Sequence, residues 1–346
     1  RLEGHRGNHH HDRDPDHHHA DHRRIGERHE RRELTAMGTH ERLLPAMGSM
    51  AHIVVVGPDD TSSTPHAPSA PTLVDRAVTR LRELEGRWSR FLPGSEVGRL
   101  NAAIASGEEP PVLSDDTLLL LERAAEGFRV THGRFDATRL DAVTAAGYVR
   151  SLDRHGPSPL ATTGSTPEVG FDPGGIGKGL AADIITAELM SDGAAGALVS
   201  IGGDLRVRGV APGGGAWRID IEDPRSDNGA ALATVTLEDG AVATSSKLKR
   251  RWSDEQGRPV HHLIDPATGT PSTSPVLAAT VIAAEAWQAE VLTKVAFLDA
   301  FGEAALSDDA GFALIESLSA AALIVTEDLV ATTARWERFA LEEATR

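Results

Sequence analysis

Cysteine is missing from all 346 residues of the chain. Its absence excludes a disulfide framework, a thiolate zinc site, a catalytic thiol and a lipid anchor built on cysteine. No run of about 18 apolar residues occurs, so no transmembrane segment is expected. Positive charge is short as well: 35 Lys and Arg stand against 51 Asp and Glu, a net charge of −16. A binder of nucleic-acid backbone needs a basic face, so no nucleic-acid partner is expected. Lysine is the scarcest charge and occurs only at Lys178, Lys247, Lys249 and Lys294. Either codon bias left four chance survivors, or Lys was kept where Arg does not serve. The length fits two domains or one large one, at about 150 residues each.

The charge is unevenly spread. Residues 1–45 hold nine Arg and nine acidic residues, so the whole of the −16 lies on 46–346. The same segment holds ten of the 16 His, including runs at 9–11 and 17–19. It has few large apolar residues before Leu34, too few to offset the entropy of ordering. Residues 1–45 are therefore read as a disordered His/Arg/Asp-rich tail, and 46–346 as the folded domain. A His-rich tract binds nickel or zinc in some proteins, and a solvated low-complexity tail is the plainer reading. The segment lacks the apolar core of a secretory signal. The expectation is a cytoplasmic protein, with export as the alternative if a leader is absent from this chain.

Residues 51–56 read as a strand, and apolar residues at 73, 74, 77, 78, 81, 84 and 88 follow a helical period. A short helical stretch runs through Val97, Leu100 and Asn101. Ser114 caps a further helix that His132-Gly133 closes. Residues 58–71 and 154–168 read as loops. A Gly-rich run at 174–179 leads into a helix near 180–190. Strands are expected at 197–201, 205–208, 217–222, 232–237, 241–244, 276–283 and 322–326, with a helix at 285–298. Helices and strands mix without a regular βαβ repeat, which predicts an α+β fold.

Four constellations carry possible chemistry. The glycines at 174–179 offer backbone N–H groups and a helix N-terminus to an anion such as a pyrophosphate, or form a plain structural turn. They are not a Walker A loop, because Lys178 is followed by Gly179. His261-His262-Leu263-Ile264-Asp265-Pro266 places a His near a strand end, either as a general base or as a structural residue. Thr244-Ser245-Ser246 precedes a basic cluster at 247–251, which is a site wall or a solvated strand end. Glu290 and Lys294 stand at i and i+4 on one helix, as an exposed pair worth about 0.3–0.5 kcal/mol or as a partly buried one.

In order along the chain, these runs resemble the ApbE family, the FAD:protein FMN transferases. Ala46-Met47-Gly48-Ser49 is similar to that family's opening Met-Gly-Thr. Residues 88–101, from Trp88-Ser89-Arg90-Phe91 to Leu100-Asn101, resemble its segment ending in Leu-Asn. Gly133-Arg134-Phe135-Asp136-Ala137-Thr138 resembles Gly-x-Phe-Asp-x-Thr. Asp172 through Asp183 resembles Asp-x-x-x-Ile-x-Lys-Gly-x-x-x-Asp, and Thr244-Ser245 with His262-x-Ile264-Asp265-Pro266-x-Thr268-Gly269 completes the set.

The resemblance implies a mixed, T-fold-like α+β domain with an FAD cleft. It implies transfer of FMN from FAD to a Thr or Ser hydroxyl of a target flavoprotein, with release of AMP and with Mg²⁺ on the pyrophosphate. Met47, Phe91, Arg134, Phe135, Asp136, Asp172, Lys178 and Ile264 would line the FAD site. The metal set would be Gly175 through its carbonyl, Glu290 where the family usually has Asp, and position 294. His262 is the candidate base. One departure stands out: position 294 is Lys where the family usually has Thr, and an ammonium has no lone pair for Mg²⁺. Either Lys294 places its own charge on the pyrophosphate, or metal use is lost and FAD binds without transfer. A non-catalytic FAD-binding module and an FAD pyrophosphatase yielding FMN and AMP are the alternative functions.

Overall fold

A computed structural model describes residues 37–59, 68–148, 170–253, 259–299 and 310–341. The chain opens with the hairpin β1 (Met37–Ala46) and β2 (Ser49–Pro58), then α1 (Ala70–Trp88), α2 (Glu96–Ser106), α3 (Asp115–Val130) and α4 (Leu140–Ala145). Next come α5 (Gly177–Ser191), β3 (Gly196–Ile201) and β4 (Asp204–Gly209). They are followed by a separate ribbon of β5 (Trp217–Glu222) and β6 (Ala231–Leu237), and by β7 (Asp239–Ser246). Two short pairs follow, β8 (Arg251–Ser253) with β9 (Pro259–His261), and β10 (Ile264–Asp265) with β11 (Thr270–Pro271). The chain continues through β12 (Ala278–Ala283), α6 (Ala286–Asp299), α7 (Ala310–Ser317), β13 (Ala321–Val325) and β14 (Val330–Thr332).

One antiparallel sheet, in the order β1-β2-β3-β4-β7-β12-β13-β14, forms the middle layer. Ile53 and Val55 of β2 belong to the core with Leu73 and Leu81 of α1, Ile185 of α5 and Leu292 of α6. Val54 and Val56 belong to a second core with Trp217, Ile219 and Val235 of the ribbon and with Trp336. A sheet covered on both faces calls for unbroken apolar runs, and this is why residues 53–56, β12 and β13 do not alternate with polar residues. The fold is α+β, as the sequence predicts.

One boundary is corrected. Residues 37–45 lie in β1, paired along their length with β2, so the ordered sheet begins before residue 46. Most of β1's side chains face solvent, and its order comes from the hairpin ladder instead of from burial of its own side chains. Composition therefore gave no sign of it. Residues 1–36 of the expected tail, and the expected loop at 154–168, lie outside the described residues. The helix after the glycine run starts at Gly177, earlier than the sequence suggested.

The N-termini of α5 and α6 touch. Asp183 of α5 accepts the backbone N–H groups of Ala286 and Trp287, both at 2.8 Å, so one helix caps the other. A Cβ on Gly179 would lie 2.3 Å from the Ala286 carbonyl oxygen, so only glycine permits this approach. Gly179→Ala is expected to cost about 1–3 kcal/mol through overpacking. Gly86→Ala in α1, where a Cβ meets nothing within 4 Å, is expected to be neutral or stabilising. Thermal melts of the two variants check the contrast.

Candidate active site

The sequence motifs act first as backbone devices. Pairing of Ala46 with Ser49 leaves Met47-Gly48 as a two-residue hairpin loop, with φ of 49° and 68°. Two positive φ values match the type I′ turn that fits the twist of the flanking strands. The Met47 N–H is tied to Glu85 Oε1 at 2.8 Å, which fixes the turn against α1. Asn101 makes two hydrogen bonds with the main chain of Phe171: its Nδ2 donates to the carbonyl at 2.9 Å, and its Oδ1 accepts the Phe171 N–H at 2.7 Å. This holds Asp172, whose carboxylate meets the Arg90 guanidinium at 3.2 Å. Thr131 Oγ accepts the Phe135 N–H at 3.0 Å, and Asp136 Oδ1 accepts both the N–H and the hydroxyl of Thr138.

These devices bring the residues expected from the sequence around one cleft. A cavity of about 290 Å³ is lined by Arg134, Phe135, Asp136, Asp172, Gly175, Lys178, His262, Ile264, Glu290 and Lys294. An adjoining cavity of about 130 Å³ is lined by Met47 and Phe91, and Gly48, Tyr148, Asp172, Gly174, Lys178 and Arg250 border both. Thr244, Ser245 and Lys249 are also on the wall. Lys247 instead donates to the Ser274 carbonyl at 3.3 Å. Arg134 reaches the wall while its Nε pairs with Asp299 at 2.9 Å.

A charge cluster stands at the floor. Glu290 is only 1% exposed. Its Oε1 pairs with the Lys178 ammonium and its Oε2 accepts the Gly179 N–H at 2.8 Å. Lys178 also pairs with Asp204, whose other oxygen accepts the Thr244 N–H at 3.2 Å. Burial alone would lower the Lys178 ammonium, and the two carboxylates outweigh it, so its pKa stands above the usual lysine value. Burial works to raise the Glu290 carboxyl, and Lys178 opposes it. Lys294 donates to the backbone carbonyl of Glu290 at 2.7 Å, so the i, i+4 pair is not a carboxylate–ammonium bridge. Burial lowers the Lys294 pKa to about 8, against the pull of Glu290. The glycine run is also less free than its sequence suggested, because the N–H groups of Gly174 and Gly179 already donate to Asp172 and Glu290.

Asp204, Arg250 and Tyr148 belong to the cleft and were not singled out by the sequence. Asp204 directly follows Gly202-Gly203, and Tyr148 is the chain's one tyrosine. Tyr148 stacks on Trp252 at 5.7 Å, meets Phe91 edge-on at 5.7 Å and lies 6.5 Å from the His262 ring. The Arg90 guanidinium sits over Phe91 at 4.2 Å. His262 Nδ1 faces the Arg250 carbonyl at 3.4 Å, which favours a proton on Nδ1 and leaves Nε2 as the acceptor. Burial first, then the Arg250 charge, push the His262 pKa down to about 3.

The donor set does not fit a magnesium site. Lys294 has no lone pair, and both Glu290 oxygens already accept donors. A Cβ on Gly175 would lie 3.2 Å from Lys294 Cε and 3.6 Å from its Nζ, so the ammonium end lies against Gly175. Among the described residues, no group of three or more His, Cys, Asp or Glu is arranged to hold a metal ion. No helix among them is long and apolar enough to cross a membrane.

The structure is thus a mixed α+β scaffold with a two-part, polar-floored cleft. The ApbE family model matches residues 47–324, and the chain belongs to that family. The FAD:protein FMN transferase of Vibrio cholerae is 27% identical over 303 residues, 82% of this chain and 86% of that protein. The enzyme of the same name from Salmonella typhimurium is 32% identical over 160 residues, 46% of this chain and 44% of that protein. The crystal structure of the ApbE protein from Thermotoga maritima superposes with a TM-score of 0.70 at 25% identity, over 88% of this chain and all of that one. The flavin transferase ApbE from Vibrio cholerae superposes at 0.68 and 24%, over 88% and 99%.

The buried imidazole has a pH consequence. Its folded pKa lies below the unfolded value of about 6.5, so the unfolded chain takes up the proton first as pH falls. The stability linked to His262 is full above about pH 6.5 and is lost as pH falls towards about 3, by at most about 1.4 kcal/mol per pH unit. His262→Asn is expected to show a shallower loss of Tm between neutral and mildly acid pH than the wild type. Parallel Tm curves would show that the folded site accepts the proton freely.

Proposed function

We propose that this chain transfers FMN from FAD to the hydroxyl of a threonine or serine on a target protein, with release of AMP. The observation that carries the reading is the convergence of Lys178, Lys294 and Arg250 on one cleft in a chain of net charge −16. A dinucleotide pyrophosphate supplies the anion such a floor suits, and the adjoining aromatic compartment suits a flat heterocycle. Membership of a family whose relatives are named FAD:protein FMN transferase supports the same reading.

In this reaction the acceptor oxygen attacks the flavin-side phosphorus of FAD. A new phosphoester bond joins FMN to the target. The bond from that phosphorus to the bridging oxygen breaks, and AMP leaves with that oxygen. Lys178 and Lys294 stabilise the charge that grows on the phosphate oxygens. His262 Nε2 accepts the proton of the attacking hydroxyl. Its basicity is low in the free site because burial and Arg250 oppose the charged form, and a bound pyrophosphate dianion counteracts that positive field. The magnesium implied by the family resemblance enters no step of this proposal, because position 294 offers an ammonium.

The test is incubation with FAD and a flavoprotein target, read by in-gel flavin fluorescence and by chromatography of AMP. A fluorescent target band with equal AMP is expected, and the band is lost when the acceptor hydroxyl is removed by substitution to Ala. Lys178→Met is expected to lower the rate by at least about 100-fold. FMN and AMP in equal amounts without any target would mark a hydrolase, and bound FAD with no AMP would mark a carrier.

A further inference from the structure

We propose that Lys294 is a tethered cation that takes the place of a divalent metal, so that the chain binds the FAD pyrophosphate without Mg²⁺. The inference rests on the FAD reading above and adds the identity of the positive charge at the pyrophosphate.

Three observations carry it. The first is the prior engagement of the local oxygens. Asp204 and Glu290 present four carboxylate oxygens, and each already accepts a donor: Thr244 N–H, Lys178 on one oxygen of each residue, and Gly179 N–H. An incoming divalent ion would have to share these oxygens with the buried Lys178 ammonium, whose like charge opposes it.

The second is the charge count. Around the same cavity Arg134, Arg139 and Lys249 join Lys178, Lys294 and Arg250, six cations against the four carboxylates of Asp136, Asp172, Asp204 and Glu290. This surplus attracts a pyrophosphate and repels Mg²⁺.

The third is the placement of Lys294 itself. Its ammonium lies against Gly175 on the cavity wall and is anchored by one bond to the Glu290 carbonyl at 2.7 Å. That is its one hydrogen bond among the described residues, and an ammonium carries three donors. Two donors are thus free for phosphate oxygens.

The test measures FAD affinity by calorimetry, in excess EDTA and in excess MgCl₂, on the wild-type full chain. Affinities equal within about twofold are expected. A parallel titration of the FAD complex with Mn²⁺, followed by electron paramagnetic resonance, is expected to show only free Mn²⁺. Lys294→Met is expected to bind FAD about tenfold more weakly in both buffers. Lys294→Thr is expected to be equally weak in EDTA and to recover in MgCl₂, because a hydroxyl oxygen is a ligand. A wild-type affinity that collapses in EDTA, or two variants that bind FAD in EDTA as tightly as the wild type, overturns the inference. The wild-type arm stands even if a variant fails to fold. The two proposals also fail differently. No FAD binding in either buffer removes the FMN-transfer reading as well, whereas FAD binding that depends on Mg²⁺ removes only the tethered cation.

Discussion

The buried carboxylate of Glu290 is the constraint on which the site depends. A charge with 1% exposure is tolerated only when it is paired and hydrogen-bonded. Lys178 and the Gly179 N–H meet that need from α5, while Glu290 itself comes from α6. Lys178 in turn engages Asp204 at the start of β4, and Asp204 reaches the Thr244 N–H on β7. Two helices and two neighbouring strands are therefore tied through one small charge cluster. Removing one member would leave a charge buried without its partner, so the cleft floor is as much a structural joint as a binding surface.

The same joint explains the spacing of the helices. For Glu290 to reach the first turn of α5, the N-terminal ends of α5 and α6 must nearly touch. Gly179 permits the contact, and Asp183 supplies the cap that α6 lacks from its own preceding residues. The glycine run is thus used for close helix packing as well as for openness towards a ligand. Its amides are shared between structure and site, which moves the burden of neutralising an anion onto side-chain cations. An acidic body needs such local positive charge to hold a dinucleotide.

Much of the site was legible in the sequence because its motifs are short-range devices. Ser114 reads as a cap, and Met47-Gly48 and Asp136-Ala137-Thr138 stand out as motifs, which the fold shows to be a hairpin turn and a side-chain-bonded turn. Leu100-Asn101 is different in kind. Its role, clamping the main chain of Phe171 some 70 residues away, is visible only in three dimensions. Strand β1 escaped notice because its side chains are mostly exposed and polar, and because its order comes from a partner strand. Arg250 and Asp204 escaped because a basic cluster and a residue after two glycines have ordinary surface explanations when read alone.

The sequence by itself determined the α+β class, the two-faced apolar strands, the family and many of the residues that surround the cleft. Those properties follow from local periodicity, turn chemistry and ordered motifs. It also determined that position 294 carries an ammonium, with no oxygen to offer a metal. Only the tertiary structure decided where that ammonium goes. The i, i+4 spacing suggested a bond to the Glu290 carboxylate. In the fold that carboxylate turns to Lys178 and Gly179, and Lys294 takes the carbonyl of the same residue. The physical reason is competition: Glu290 has two oxygens to satisfy in a buried site, and partners on another helix reach them. That competition is set by packing between elements, which no local pattern encodes.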